Sequence, residues 1–227
     1  MSKLVFIETS TSLCSTAIAE NGRIVSSRKS TEPRAHASMT AVFIKEMLDE
    51  CGLQMGDIDA VAVSAGPGSY TGLRVGVSTA KGLCFGSGIP LISVSTPEIL
   101  AWQAIEGGLL PQGCRTILPM IDARRMEVYT APFSPSGERL GDIAPVVLDS
   151  TSFADEFAAG PVLIIGDAAD KCRELFPSAA FVQCCPEASS MLTPAMKKFE
   201  AHDFEDVAYF EPFYLKQFVA TVGKKLF

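Results

Sequence analysis

The chain has 227 residues and a formal net charge of -7, with 48% hydrophobic and 20% charged residues. This balance is typical of a globular protein with one large domain or two small ones. It argues against independent binding to nucleic acid, since that depends on clustered Lys and Arg, so a basic partner would supply most of any such contact. No apolar run approaches the roughly 20 residues of a membrane span, and the N-terminus indicates a first strand rather than a signal peptide.

The seven cysteines give an odd count, and none forms a Cys-x-x-Cys pair. This pattern argues against a secreted disulfide framework and against a structural zinc site. We therefore expect reduced thiols in a cytoplasmic protein. The adjacent Cys184 and Cys185 are predicted to lie in a loop or on an edge strand, with a redox pair as the alternative.

The first half of the chain passes from consecutive strands to strand–helix units. The predicted elements are strands at 4–9, 14–20 and 23–30, a helix at 36–51, a strand at 59–65, a helix ending near 85, a strand at 89–94 and a helix capped by Thr96. Asn21-Gly22 is typical of a tight hairpin, and Pro97 suits the first position of a helix. The pattern predicts an α/β protein whose mixed sheet carries helices on its faces, which is the topology of an actin-like ATPase lobe.

The second half is less regular. A hairpin is expected around residues 122–125, between strands at 116–121 and 126–132, and a strand at 162–165 is expected to precede a helix at 168–175 with Asp167 as its N-cap. Further helices are predicted at 151–158 and 189–201, where Pro194 either kinks the helix or marks its start. We place a boundary near residue 105, between an N-terminal lobe (1–105) and a C-terminal lobe (106–227), and leave open whether the last segment packs back on the first lobe.

The most informative segment is a glycine-rich block from Gly66 to Gly82, with the sequence GPGSYTGLRVGVSTAKG. Its helix carries a small residue at every fourth position, and glycine within a helix costs about 1 kcal/mol relative to alanine. Such a stripe permits close approach of either a ligand at the helix N-terminus or a second helix. We favour a second helix. The small-residue stripe consists of Gly68, Gly72, Gly76, Ala80 and Cys84.

Two helices of the first half are predicted to form a partner-binding surface. The helix at 36–51 has an apolar arc wider than one buried stripe, and Met-rich surfaces suit partner binding. The predicted interface residues are Met39, Phe43, Met47, Gly72, Arg74, Gly76, Ala80 and Lys81. Burial of the first helix within the lobe, and a solvated face around the two cations of the second, are the open alternatives. Gly76→Leu is expected to block the partner without unfolding the chain.

Four blocks of sequence occur in order along nearly the whole chain: Phe6–Ser12 (FIETSTS), Gly66–Gly82, Ile121–Tyr129 (IDARRMEVY) and Glu211–Lys216 (EPFYLK). Together they resemble the bacterial TsaB family, also called YeaZ. The resemblance implies an actin-like ASKHA (ribonuclease H-like) fold of two lobes, each with a mixed sheet flanked by helices. It also implies a non-catalytic relative of the catalytic subunit TsaD. Older labels call the members of this family glycoprotease-like.

The resemblance further implies a role in making N6-threonylcarbamoyladenosine at position 37 of tRNAs that read ANN codons. The expected partners are TsaD, in a heterodimer through the two helices of the first lobe, and the ATPase TsaE. A homodimer through the same surface is also expected, with tRNA contacted only indirectly. No cofactor is expected in the isolated chain, and ATP or ADP at the interface with TsaD stays open. The alternatives are an actin-like ATPase or kinase and a glycoprotease-like metalloenzyme.

The first turn and the first helix decide how far these enzymatic alternatives are supported. The residues assigned to nucleotide or anion contact are Thr9, Ser10, Thr11, Gly66, Gly68 and Ser69. The turn after the first strand has hydroxyls but no glycine, so the competing prediction is a turn that satisfies its own backbone. Family members usually carry Asp where Glu8 stands. The His-x-x-x-His pair of the catalytic relative is reduced here to His36 and Thr40, so no metal site is predicted.

Overall fold

The structure is a computed structural model that describes residues 2–215. Lys216, which ends the last block of the family resemblance, and residues 217–227 of the predicted C-terminal lobe lie outside the described residues. The strands, in chain order, are β1 (Lys3–Glu8), β2 (Cys14–Glu20), β3 (Arg23–Ser30), β4 (Ala60–Gly66), β5 (Leu91–Ser95), β6 (Thr116–Pro119), β7 (Ile121–Asp122), β8 (Glu127–Thr130), β9 (Ala144–Val147), β10 (Val162–Gly166) and β11 (Ala180–Gln183). The helices are α1 (Ala35–Cys51), α2 (Tyr70–Ser87), α3 (Thr96–Glu106), α4 (Ala154–Ala159) and α5 (Leu192–Glu200).

The first half folds around a five-stranded sheet with the order β3-β2-β1-β4-β5. β1, β2 and β3 form an antiparallel meander, and β4 and β5 continue the sheet in the direction of β1. The β2–β3 turn is Asn21-Gly22, and both residues have positive φ, at 53° and 72°. This is the backbone that a two-residue hairpin requires, and it explains why the Asn-Gly pair fixes the register here.

The two faces of this sheet are buried by different helices. Side chains alternate along β1, so Val5 and Ile7 pack toward α1 and α2, whereas Leu4 and Phe6 pack toward α3 and α5. α5 comes late in the chain, yet it covers the face built by the first half. One face of the first sheet is therefore covered by α5 from the second half of the chain as well as by α3 from the first half.

The second half contains two three-stranded sheets. One is parallel with the order β11-β10-β6, and the other is an antiparallel sheet with the order β7-β8-β9. The segment that follows α5 then returns to the first sheet. The Glu205 backbone N–H donates to the Leu91 carbonyl at 2.9 Å, and the Phe213 N–H donates to the Ala65 carbonyl at 2.7 Å. The division of the chain near residue 105 stays a prediction.

Most of the predicted elements are confirmed, including the three-strand meander, the helices α1 to α3 and the hairpin that follows Asp122. The N-cap of α3 is Ser95 and not Thr96. The helix predicted at 168–175 is wrong, since only a 3-10 turn forms at Asp170–Cys172. The Asp167 carboxylate accepts a hydrogen bond from the Asp122 N–H at 2.9 Å, so it does not cap a helix. Pro194 lies in the first turn of α5 and therefore marks the start of that helix.

Candidate functional site

The small-residue stripe of α2 packs against the chain's own first strand and against the turn that follows it. We call this turn, residues 9–12, the β1 turn. A Cβ placed on Gly72 would collide with the carbonyl oxygen of Thr9, and one on Gly76 would collide with the Thr9 hydroxyl. A Cβ on Gly68 would collide with the Ser10 carbonyl. The glycines are therefore required because α2 approaches the β1 turn at backbone distance.

Hydrogen bonds fasten this close contact. The Thr9 hydroxyl donates to the Gly72 carbonyl at 2.8 Å, and the Ser69 N–H donates to the Ser10 carbonyl at 2.6 Å. The Ser69 hydroxyl accepts from the Gly72 N–H at 3.3 Å and so caps α2. The N–H groups of Ser69 and Gly72 at the start of this helix are thus satisfied within the protein.

Most of the predicted partner-interface residues are buried within the chain itself, and the interface stays a prediction. Gly72, Gly76 and Ala80 are buried against the chain itself, as are Phe43 and Met47 of α1. Leucine at Gly76 would press on the Thr9 hydroxyl and on Ile7, whose Cγ2 lies 3.6 Å from a Cβ at that position. Gly76→Leu would therefore disturb the monomer, contrary to the prediction.

Three of the predicted interface residues keep some exposure. Met39 is half-buried beside the cluster formed by Cys14, Ala35 and Phe43. Arg74 is exposed, with its guanidinium 4.1 Å from the centre of the Tyr70 ring. Lys81 is half-buried, and its ammonium donates to the carbonyls of Ala208 at 3.1 Å and Phe210 at 3.0 Å. Lys81 thus holds the returning C-terminal segment against α2.

The residues predicted for nucleotide or anion contact pack closely against other parts of the chain, and this contact stays a prediction. Thr9, Ser10 and Thr11 are buried. A Cβ on Gly66 would lie 2.9 Å from the Phe213 carbonyl and 3.0 Å from the Leu73 side chain. The remaining two members, Gly68 and Ser69, are engaged in the contacts with the Ser10 backbone described above. A phosphate bound at this place would have to displace these contacts.

Glu8 is the most perturbed carboxyl group near this turn. Its Oε1 accepts a hydrogen bond from the Ser10 N–H at 2.5 Å, while Oε2 is buried without a hydrogen-bond partner among residues 2–215. Burial raises the pKa of Glu8 to about 7, and the negative charge of Asp167 acts in the same direction. The His36 Nε2 lies 2.9 Å from the Thr11 carbonyl and so contacts the same turn.

The hairpin between β7 and β8 is held by contacts with the segment that follows β10. Lys171 forms an ion pair with Asp122 and donates to the carbonyls of Arg125 at 3.0 Å and Glu127 at 2.7 Å. Burial raises the pKa of the nearby Asp167 carboxyl. These contacts tie the hairpin to the turn after β10, which is a structural role.

A second run of small residues lies on the opposite, exposed side of α2, and sequence reasoning missed it. We call Ser78, Gly82 and Gly86 the outer stripe; all three are exposed. A Cβ placed on Gly82 or Gly86 would meet no atom within 4 Å. Phe85 lies beside them and exposes 86% of its surface, and Val42 of α1 exposes 43%. The fourfold spacing of the outer stripe was visible in the sequence and is the signal that could have found it.

Two further kinds of site, a metal centre and a membrane span, are considered for the described residues. Among residues 2–215, no three His, Cys, Asp or Glu side chains are grouped as a metal ion would need. None of the helices in that range is long and apolar enough to cross a membrane.

Comparison with known proteins agrees with this architecture. A family model described as TsaD: tRNA N6-adenosine threonylcarbamoyltransferase matches residues 23–222. The tRNA threonylcarbamoyladenosine biosynthesis protein TsaB from Escherichia coli K12 is 30% identical over 227 residues, covering 96% of each chain. The structure of YeaZ from Pseudomonas aeruginosa is 29% identical with a TM-score of 0.81, and it covers 95% of this chain and 100% of its own.

A more distant neighbour shares the fold. The activator of 2-hydroxyisocaproyl-CoA dehydratase from Clostridium difficile has a TM-score of 0.51 at 11% identity, over 88% of this chain and 96% of its own, which shows a shared fold alone. The fold is the predicted actin-like ASKHA fold, and it carries a TsaD-like domain. Within that class, the chain belongs to the TsaB (YeaZ) family.

Proposed function

We propose that this protein is a non-catalytic partner and activator of TsaD in the formation of N6-threonylcarbamoyladenosine at position 37 of tRNAs that read ANN codons. The observation that carries the proposal is the division of α2 into two sides. The small-residue stripe packs against the protein's own β1 turn, whereas the outer stripe is exposed. The names of the Escherichia coli relative and of the matching family model both refer to this modification.

The outer stripe is the part of the molecule that best fits a docking helix. Gly82 and Gly86 leave open space above the helix backbone, and the exposed Phe85 beside them offers a large apolar side chain. Close backbone approach next to an aromatic anchor is typical of a specific interface. We assign TsaD to this surface, and a second copy of the chain to the same surface when TsaD is absent.

The remaining partners follow from charge. A net charge of -7 disfavours direct contact with tRNA, so tRNA and the ATPase TsaE would meet this protein through TsaD. If ATP or ADP binds at the shared interface, we assign its contact to the exposed Arg74, which also interacts with Tyr214 and Glu211 of the C-terminal segment, whereas Lys81 is engaged by two backbone carbonyls there. Both points are part of the proposal.

A non-catalytic role is favoured by the way the β1 turn is built. The hydroxyls of Ser10 and Thr11 are buried, and the N-terminus of α2 is capped by Ser69. A nucleotide phosphate bound at this place would have to displace the contact between Gly68 and Ser10. We therefore attribute the chemistry to TsaD and the assembly to this chain.

Reconstitution tests the proposal. TsaD and TsaE are incubated with ATP, a threonylcarbamoyl donor and an unmodified tRNA that reads ANN codons, with and without this chain. We expect product only when the chain is present, at a rate that saturates near one chain per TsaD. Equal product without the chain contradicts the proposal, as does ATP turnover by the isolated chain at a rate that accounts for the reaction.

A further inference from the structure

An open cavity of about 430 Å³ lies at the carboxyl ends of two parallel strands of the first sheet. Ala65 and Gly66 come from the end of β4, and Ser93 and Ser95 come from the end of β5. In open α/β sheets, ligands bind outside the carboxyl ends of the strands, and small-molecule sites have volumes of roughly 300–1,000 Å³. The cavity is separate from the outer stripe and from the β1 turn.

The cavity is lined by two cations and two carboxylates that come from distant parts of the chain. Glu98 belongs to the first turn of α3, and Lys198 belongs to α5. Arg139 and Asp142 lie in the loop between β8 and β9. A wall with equal numbers of positive and negative groups matches a ligand that carries both charges, rather than a simple anion or cation.

No direct ion pair among residues 2–215 joins the two cations of this cavity to its two carboxylates. Within residues 2–215, Arg139 has no carboxylate within ion-pairing distance, and the pairing of Lys198 with Asp203 is long, at 3.7 Å between Nζ and Oδ2. Glu98 is largely enclosed, and burial raises its pKa, while the charges of Lys198 and Arg139 oppose that rise. The exposed Arg139 in particular is therefore open to a carboxylate of a ligand.

Two hydroxyls add polar contacts at the floor of the cavity. The Ser95 side chain makes no capping hydrogen bond to α3, although Ser95 is the N-cap residue. Ser93 donates its hydroxyl hydrogen to Glu205 at 2.5 Å, so its oxygen can accept a further hydrogen bond. Phe213, whose N–H is held by the Ala65 carbonyl, closes one side with an apolar wall.

We propose that this cavity binds a small zwitterion of the α-amino acid class. Arg139 and Lys198 bind its carboxylate, and Glu98 and Asp142 bind its ammonium group. Ser95 and Ser93 contact a polar side chain, and bridging waters fill the remaining volume. The inference does not depend on the docking role of α2.

Ligand-observed NMR titration of the full chain tests this site. L-threonine is the probe, L-valine is its isostere without the hydroxyl, N-acetyl-L-threonine lacks the ammonium group, and L-threonine methyl ester lacks the carboxylate. We expect L-threonine to saturate with a dissociation constant of about 5 mM or lower, and both blocked compounds to bind about tenfold more weakly. L-valine is also expected to bind more weakly than L-threonine, but by less than the factor of about ten expected for the blocked compounds.

Variants locate the binding. Arg139→Gln and Glu98→Gln are each expected to weaken L-threonine about tenfold, while Arg173→Gln, an exposed arginine paired with Asp170, stays within about twofold. Thermal unfolding shows which variants are folded. If Glu98→Gln is not folded, the binding measured with Arg139→Gln, at an exposed position, decides the test. Absence of saturation at about 20 mM overturns the proposal. Equal binding of the N-acetyl compound also overturns it, since that result describes an anion site only.

Discussion

The Thr9 hydroxyl donates a hydrogen bond of 2.8 Å to the carbonyl of Gly72, one turn into α2. This bond joins the end of the first strand to the glycine-rich helix. It forms only because glycine lets the helix backbone reach the strand, as a Cβ on Gly72 would occupy the position of the Thr9 carbonyl oxygen. The densest glycine pattern of the chain is therefore a packing device between two parts of one lobe.

The two sides of α2 should respond to alanine in opposite ways. Gly72→Ala is expected to lower the free energy of unfolding by about 2 kcal/mol, because its methyl group meets backbone that cannot rotate away. Gly82→Ala is expected to raise it by up to about 1 kcal/mol, since the methyl group meets nothing and alanine favours helix. Urea denaturation of both variants measures the difference, and the same sign for both would contradict the packing described here.

The glycine pattern shows where sequence reasoning succeeded and where it stopped. The fourfold spacing predicted that a ligand or, preferably, a second helix approaches α2 along Gly68, Gly72 and Gly76, whereas the turn after β1 lies there in the structure. It could not tell whether the approaching backbone belongs to a partner or to the same chain, because both impose the same steric requirement. Only the β1–β4 pairing places the turn after Glu8 beside the start of α2.

The exposed side of α2 should control binding to TsaD. Gly82→Leu and Phe85→Asp are each expected to weaken the complex about tenfold or more, because the first blocks backbone approach and the second places a charge in the interface. Neither substitution touches the core, so melting temperatures should change little. Isothermal titration calorimetry with TsaD provides the affinities.

A matched control separates a docking surface from a general effect of surface change. Val147 of β9 exposes 71% of its surface and lies on a different sheet. Val147→Asp should leave the affinity for TsaD within about twofold of the unchanged protein. If Val147→Asp weakens the complex and Gly82→Leu does not, the interface lies on the second half of the chain.

Glu8 should make the stability of the protein depend on pH. The pKa of Glu8 is about 7 in the folded protein against an ordinary value of 4.5, so the folded state holds a proton that the unfolded state has lost between these two pH values. Stability is therefore expected to fall as the pH rises from about 4.5 to 7, by about 3 kcal/mol in total, and to level off above that range.

Comparison with Glu8→Gln isolates this effect. The amide is neutral at every pH, and its oxygen can still accept the Ser10 N–H, so the variant should lack this part of the slope and be the more stable protein at pH 8. Glu98 contributes a similar slope to both proteins and cancels in the difference, whereas Asp167 cancels only in part because its charge acts on Glu8. Parallel stability curves for the two proteins from pH 5 to 8 would show that Glu8 titrates normally.

The second half was harder to predict because its elements are short and are held by distant residues. The spacing of apolar residues after residue 168 resembled that of a helix. The Asp167 carboxylate, however, accepts a hydrogen bond from the Asp122 N–H, and only one 3-10 turn forms. β11 was not predicted at all, since it has four residues and pairs only with β10. Local propensity fixes long elements such as α1 and α2, whereas these short ones depend on tertiary contacts.

Lys81 should anchor the returning C-terminal segment to the first sheet. Its ammonium group donates to the carbonyls of Ala208 and Phe210, and the same segment pairs through the Phe213 N–H with Ala65. Lys81→Met keeps the packing of the aliphatic stem and removes both hydrogen bonds. We expect local opening of this segment to become easier by about 1 kcal/mol, after allowing for partial exposure of Lys81.

Native-state hydrogen exchange checks this expectation at the amide of Phe213. The exchange rate should rise about fivefold in Lys81→Met, while amides in the middle of β1 keep their protection because they open only on global unfolding. Lys45→Met, on the exposed face of α1, serves as the control and should leave the Phe213 amide unchanged. An equal increase in both variants would mean that loss of a surface charge, rather than the anchor, loosens the segment. An unchanged rate in Lys81→Met would mean that the backbone pairing with Ala65 holds the segment without help from the lysine.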